Sequence, residues 1–236
     1  MAQYYTDFSE YTTGSAPSDF TSRWNASAWS VQDVAGTTGG KVVEVVQGST
    51  KASFLSWDVV DSDSDSENIE ILTRVRQASG GSISTDSMGV AFRGSGTSSR
   101  TGYLSYIGKD NLRFARYINN SFNLFSTFSE SHASEIWYYT RTRANGTSLK
   151  SRSWSGDLID EPEAWEIETT NSDISAEGWA GLFVFSSDTY EWDIFSVGTN
   201  GDTAPSSAPA TGPVTPINPS ITSLLATSAR LNWEQG

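Results

Sequence analysis

The sequence predicts an all-β protein, a two-sheet antiparallel jelly-roll sandwich with an extended C-terminal tail, and three observations lead there. Between Tyr4 and Val197 short runs of β-branched and aromatic residues alternate with Gly, Ser, Asn and Asp, and hardly any stretch shows helical spacing. Nine Trp, nine Tyr and eleven Phe supply enough ring area to fill the gap between two sheets, although only 36% of the residues are hydrophobic. A dozen or more strands in 236 residues need two stacked layers around one core.

In chain order the expected strands are Trp29–Val34, Lys41–Gln47, Ser53–Val60, Asn68–Gln77, Met88–Arg93, Gly102–Ile107 and Leu112–Ile118. They continue as Phe122–Phe128, Ile136–Ala144, Ser148–Trp154, Trp165–Thr170, Trp179–Phe185 and Glu191–Val197. Gly80-Gly81 and Gly94-Ser95-Gly96 have no following helix or P-loop lysine, so they read as hairpin turns and not phosphate cradles. The strongest local signal is Asn145-Gly146 between two β-runs, which suits the positive φ angles of a two-residue type I′ turn. With those two residues as the loop, Arg143 faces Ser148, Arg141 faces Lys150, Tyr139 faces Arg152 and Trp137 faces Trp154. One face of the hairpin then carries Trp137, Tyr139, Arg141, Arg143, Lys150, Arg152 and Trp154. The other carries Ile136, Tyr138, Thr140, Thr142, Ala144 and Leu149, which pack inward.

Three segments follow from composition. Residues 1–199 form the sandwich, 200–219 form a Pro/Ser/Thr-rich extended linker, and 220–236 hold two further alternating β-runs. With 15 Lys and Arg against 28 Asp and Glu, the net charge is −13, which repels phosphate backbones and anionic membranes. Nucleic acid and membrane are therefore not expected partners. Cysteine is absent, so there is neither a disulfide framework nor a thiolate metal site. Met1 to Tyr5 show no basic or apolar leader pattern, and no apolar run reaches membrane-spanning length.

Two blocks carry a resemblance. One is Trp137-Tyr138-Tyr139-Thr140-Arg141-Thr142-Arg143 with Asn145-Gly146-Thr147-Ser148-Leu149-Lys150, Trp154, Glu161-Pro162 and Trp165. The other is Gly178-Trp179-Ala180-Gly181-Leu182-Phe183 with Trp192-Asp193-Ile194-Phe195-Ser196-Val197-Gly198-Thr199. Together with Asp7-Phe8 and Trp24 they resemble concanavalin A-like (laminin G-like) jelly rolls of phage tail and virion proteins and of bacterial surface proteins. The resemblance implies paired terminal strands. Ser220-Ile221-Thr222-Ser223-Leu224 and Ala229-Arg230-Leu231-Asn232-Trp233-Glu234 resemble the first two strands of a fibronectin type III domain, either as the start of a longer chain or as a strand donated to another subunit.

Some relatives of that fold are glycoside hydrolases with Glu-x-Asp-x-(x)-Glu on one strand, and Glu191-Trp192-Asp193 begins this pattern. Phe195 and Ser196 stand where the second Glu belongs, so no acid and nucleophile pair is expected there. Asp61-Ser62-Asp63-Ser64-Asp65-Ser66-Glu67 resembles a calcium string, but Ser66 replaces the EF-hand glycine and Leu72 the closing Glu, so it reads as a solvated loop. No cofactor is expected, with calcium held by Asp7 and Asp193 as the one metal hypothesis. His132, the single histidine, excludes a multi-His zinc site and is expected on a surface loop.

The cationic, aromatic hairpin face has two readings. Arg forks and Trp or Tyr rings suit glycan recognition, as ligand-binding residues Trp137, Tyr139, Arg141, Arg143, Lys150, Arg152 and Trp154. Alternatively those cations pair with internal carboxylates such as Glu166 and Glu168, and the tryptophans are core. Arg93, Arg100, Tyr103 and Tyr106 form a second, less defined cluster. The expectation is a non-enzymatic virion or extracellular surface protein of fibre or decoration type, oligomeric in its assembly. It would bind a glycan or cell-surface polysaccharide and contact other virion or surface subunits through its tail. The alternatives are a carbohydrate-binding module of a longer secreted bacterial protein and a glycoside hydrolase-like enzyme.

Overall fold

The computed structural model describes residues 2–24, 28–48, 52–61, 67–78, 83–84 and 87–208. Residues 62–66 of the acidic run and 209–236, which hold the fibronectin-like runs, lie outside the described residues. Two antiparallel sheets stack as the composition requires. The eight-stranded sheet runs in the order β13 (Ile167–Thr170), β12 (Ser148–Ser155), β11 (Tyr138–Asn145), β6 (Ile69–Gln77), β15 (Asp188–Gly198), β4 (Lys41–Gln47) and β3 (Ala28–Asp33), with β1 (Gln3–Thr6) also on β15. The seven-stranded sheet runs β10 (Ser121–Ser129), β9 (Asn111–Ile118), β8 (Thr101–Gly108), β7 (Met88–Ser95), β14 (Trp179–Val184), β5 (Ser53–Trp57) and β2 (Phe20–Trp24). Pairing of β1 with the second half of β15, Tyr5 opposite Ser196, joins the two ends of the sandwich.

The inter-sheet core follows the period-2 alternation. Phe20 and Trp57 stack at 5.4 Å and 10°, Phe195 closes on both, and Trp29 meets Trp192 at 5.4 Å. Each such fully buried large side chain contributes about 2 kcal/mol from surface withdrawn from water. A separate apolar cluster of Trp24, Phe54, Leu104, Tyr106, Tyr117 and Phe183 belongs to the opposite face of the seven-stranded sheet. Gly181 on β14 is fixed by close approach, because a Cβ there would stand 2.0 Å from the Leu55 carbonyl oxygen.

Several boundaries differ from the expectation. The run expected as Ser53–Val60 leaves the sheet at Trp57 and turns once as a short helix, α1 (Asp58–Asp61). The Asp58 carboxylate accepts from Thr21 Oγ1, and the Asp58 amide donates to Asp19 O, which pulls the chain out of extension. The hairpin loop sits one residue later than predicted: Gly146 and Thr147 form it, flanked by Asn145 and Ser148. Gly146, at φ +56°, supplies the positive angle, and Asn145 stays in the strand, as in a turn with glycine first. Arg141 therefore faces Arg152, Tyr139 faces Trp154 and Arg143 faces Lys150. A slip of two residues keeps the side chains of β11 and β12 on their predicted faces, but Ile136, expected to pack inward, precedes β11 and is exposed.

Residues 200–205, expected in the linker, stay on the domain. Ala204 is buried, its amide donates to Glu70 Oε1 at 3.2 Å, and Ser196 Oγ donates to Pro205 O at 2.6 Å.

Candidate functional site

The outer face of the eight-stranded sheet gathers the predicted hairpin residues with others that sequence reading did not group with them. Strand β6 alternates Glu70, Leu72, Arg74 and Arg76 outward, and its register with β11 sets Glu70 beside Arg143 and Arg74 beside Tyr139. On β15 a bulge between Trp192 and Ile194 lets Asp193 and Ile194 both face out, while Trp192 and Phe195 remain in the core.

This face divides into a buried floor and a half-exposed surface. In the floor Tyr139 and Trp154 stack at 5.2 Å and 14°, beneath Leu158 and Ala204. Trp154 Nε1 donates to Asp157 O at 3.1 Å. Beside them lies Arg141, only 5% exposed, whose Nη1 donates to Glu70 Oε1 at 2.6 Å and Ala204 O at 3.2 Å. Its Nε and Nη2 fork onto the two Glu161 oxygens. Burial pulls the Arg141 pKa down, but the bonds to Glu161 and the charge of Glu70 outweigh it, so the net shift is upward. Arg143 also pairs with Glu70, Arg152 with Glu161, and Lys150 Nζ with Glu168 Oε2 at 2.6 Å. Glu166 instead accepts from the Ser153 amide at 2.9 Å, and burial raises its pKa.

Of the seven predicted residues, Tyr139, Arg141 and Trp154 are thus buried, while Trp137, Arg143, Lys150 and Arg152 remain partly open. Trp137 sits under two guanidinium groups, Arg74 at 5.0 Å and Arg76 at 4.5 Å from its ring centre. Trp165, quoted in the resemblance but not among the predicted binding residues, is held the same way by Arg152 at 4.3 Å and Arg143 at 5.5 Å. The arginines are themselves matched, Arg74 to Asp193 and Arg76 to Glu191, each at 2.6 Å. The result is two partly exposed indoles pinned in place by ion-paired arginines, with Arg141, Arg143 and Arg152 sharing the carboxylates of Glu70 and Glu161. Such a surface suits stacking and hydrogen bonding to a neutral, polyhydroxylated ligand.

The carboxylates of the abbreviated Glu191-Trp192-Asp193 pattern are committed to these pairs. Asp193 is fully buried; besides Arg74 it accepts from the Thr38 amide at 2.7 Å and Thr38 Oγ1 at 2.9 Å. Asp7 Oδ1 accepts from the Ser9 amide and hydroxyl at 3.1 and 2.6 Å. The Tyr5 hydroxyl is pushed up to about 12 by burial first and then by the charges of Asp7 and Asp193. A calcium ion at Asp193 would have to displace a guanidinium and two further donors, so this pair does not fit a hard cation. No group of three or more His, Asp or Glu suited to a metal occurs among the described residues. Glu44 lies directly opposite Glu191 in the register, and burial followed by that like charge raises its pKa.

Two other expectations change. His132 is not a surface residue: it is 5% exposed, its Nδ1 lies 2.7 Å from Gly108 O, and Tyr138 packs edge-on against its ring. The Arg93 cluster separates, because Tyr103 and Tyr106 fall on opposite faces of β8. Arg93 is 2% exposed and donates to the carbonyls of Glu67, Gly146 and Ile174, so it ties three loops together from inside.

The two sheets define a jelly-roll β-sandwich. Among solved structures the chain is similar to a carbohydrate-binding module, CBM66 from Bacillus subtilis, at 18% identity and a TM-score of 0.56, covering 78% of this chain and 96% of that one. It is similar to the exoplasmic/lumenal domain of VIP36 in its Ca2+/Man3GlcNAc-bound form, at 9% identity and TM-score 0.54, covering 79% and 86%. It also matches the GH43 protein BlXynB from Bacillus licheniformis at 9% identity and TM-score 0.53, covering 83% of this chain but 39% of that one. These likenesses establish the fold. No protein-family profile matches the sequence, and neither does any curated protein.

Proposed function

We propose that the chain is a non-enzymatic glycan-binding module displayed on a virion or extracellular surface, and that it grips sugar rings at Trp137 and Trp165. The observation that carries this reading is the pair of partly exposed indoles, each clamped by two arginines that are themselves ion-paired with carboxylates of this face. Rigid aromatic planes amid ion-paired side chains bind neutral sugars with little ordering cost. Arg143, Lys150 and Arg152 border the surface, while Tyr139, Arg141 and Trp154 form its support. The commitment of Glu191 and Asp193 to arginines favours binding over hydrolysis. The likeness to the carbohydrate-binding module CBM66 and to the Ca2+/Man3GlcNAc-bound lumenal domain of VIP36 supports the same class of ligand.

A fibre or decoration role on a phage particle, with residues 209–236 contacting another subunit, is part of this reading and rests on the resemblance alone. The alternative setting, a carbohydrate-binding module of a longer secreted bacterial protein, is favoured by the 96% coverage of CBM66. The test is a glycan-array screen of the full chain followed by titration of any hit. Trp137→Ala and Trp165→Ala should each weaken binding by about tenfold, the loss of one stacking contact of roughly 1.4 kcal/mol. Unchanged affinity in both variants would overturn the assignment of this face.

A further inference from the structure

The strand register sets the two clamped indoles apart. Arg74 stands opposite Tyr139 on β11, and Arg76 follows two residues later on β6, so Trp137 lies over the 137–139 end of the hairpin. Arg152 stands opposite Arg141, with Arg143 two residues further along β11, so Trp165 lies over the 141–143 end. Four strand positions separate these centres, about 13 Å at the rise of an extended chain. The ion pairs widen the gap sideways. Arg74 and Arg76 are drawn to Asp193 and Glu191 on β15, the side of β6 away from β11, whereas Arg152 is drawn to Glu161 and to the carbonyls of Pro162 and Glu163. Ring planes in contact have centres only about 4.5–7 Å apart, so one sugar ring reaches one indole and not both. Two rings joined by a single glycosidic oxygen fall short as well. The floor between the indoles holds Tyr139 and Trp154, buried under Leu158 and Ala204 and closed to stacking. What is open there is polar, with the Arg143 side chain 40% exposed and that of Glu161 19%.

We infer, resting on the glycan reading above, that a single ligand spans both indoles: an extended neutral oligosaccharide on the order of four residues or longer. Its two outer rings stack on Trp137 and Trp165. Its intervening residues lie across the polar middle of the face and hydrogen-bond to Arg143 and Glu161. The face is thereby selective for the internal stretch of a polysaccharide. A monosaccharide, or the last residue of a chain, engages one indole and leaves the other idle. Once a chain is long enough to hold one ring, contact with the second becomes intramolecular, so affinity climbs with length until both are covered.

The test is calorimetric titration of the full chain with homo-oligosaccharides of glucose, mannose, xylose, galactose and N-acetylglucosamine, each with one, two, four and six residues. In the series that binds, the disaccharide should fill two weak sites per chain. The hexasaccharide should fill one, about tenfold or more tighter. Trp137→Ala and Trp165→Ala should each return the hexasaccharide to the disaccharide's affinity. Trp137→Phe and Trp165→Phe keep a smaller plane and should retain part of the gain, which a variant that merely misfolds would not. Equal affinity at two and six residues, two sites at every length, or a loss confined to one of the two tryptophans overturns the spanning ligand and leaves the glycan reading intact. No saturable binding in any series, or binding that neither alanine variant weakens, overturns the glycan reading and the spanning ligand with it.

Discussion

Replacing Arg141 by Met removes the centre of a buried charge network while keeping most of the side-chain volume. Arg141 is the link between Glu70, whose side chain is 1% exposed, and Glu161, at 19%. Breaking a buried ion pair from one side costs about 3–5 kcal/mol, because the remaining carboxylate is left uncompensated. Here Arg143 still reaches Glu70 and Arg152 still reaches Glu161, so the lower end applies, about 3 kcal/mol. At about 2–4 °C per kcal/mol for a domain of this size, the melting midpoint should fall by roughly 6–12 °C. Adding Glu70→Gln lifts the cost of the under-compensated carboxylate but leaves Arg143 without its partner, so it should recover less than half of the loss, a coupling measurable by a double-mutant cycle. The assay is denaturant unfolding followed by far-UV circular dichroism, repeated by calorimetry. An Arg141→Met variant within about 0.5 kcal/mol of the parent would refute the view that this arginine supports the face.

Other perturbations follow from the same contacts. Glu44, opposite Glu191, has a raised folded pKa, so its stabilising contribution is complete below the ordinary value of 4.5 and is lost as pH rises through the folded value. Glu44→Gln should therefore stabilise by about 0.5 kcal/mol at pH 7, with the gain vanishing near pH 4, as read from melts across that range. Gly181→Ala should cost at least roughly 2 kcal/mol by denaturant titration, because the added methyl meets the Leu55 carbonyl at 2.0 Å. Lys150→Ala, which removes an exposed pair with Glu168, should change stability by less than about 0.5 kcal/mol in the same titration.

The architecture was legible because alternation and turn residues are local signals. The aromatic runs fixed most strand positions, and the paired faces of β11 and β12 survived a turn displaced by one residue, since the displacement changed the pairing by two. Periodicity does not reveal the short strands β1 and β2, for four or five residues carry too little of it; the pairing of the terminal strands, β1 with β15, was implied by the resemblance alone. The neighbourhood of the hairpin was not legible. Nothing local announces that β6 lies beside β11, so of the carboxylates expected for the hairpin cations only Glu168 pairs, with Lys150, while Arg141 and Arg143 bind Glu70. Likewise, the burial of Tyr139, Arg141 and Trp154 depends on Leu158 and Ala204, which reach the sheet from segments that read as loop and linker. The alternation of β6 itself, with Glu70, Arg74 and Arg76 on one face, was the available clue to a charged outer surface. His132 read as exposed because its polar neighbours in sequence hide its tertiary partners, Gly108 O and Tyr138.

The binding face is tested most directly by titrating a glycan ligand into the protein while following its nine tryptophan indole N–H resonances. Shifts concentrated on Trp137 and Trp165, with Trp24 and Trp192 unmoved, are the expected result. Shifts led instead by Trp24 and Trp179, on the other sheet, would place the ligand on the opposite face of the sandwich and contradict the account.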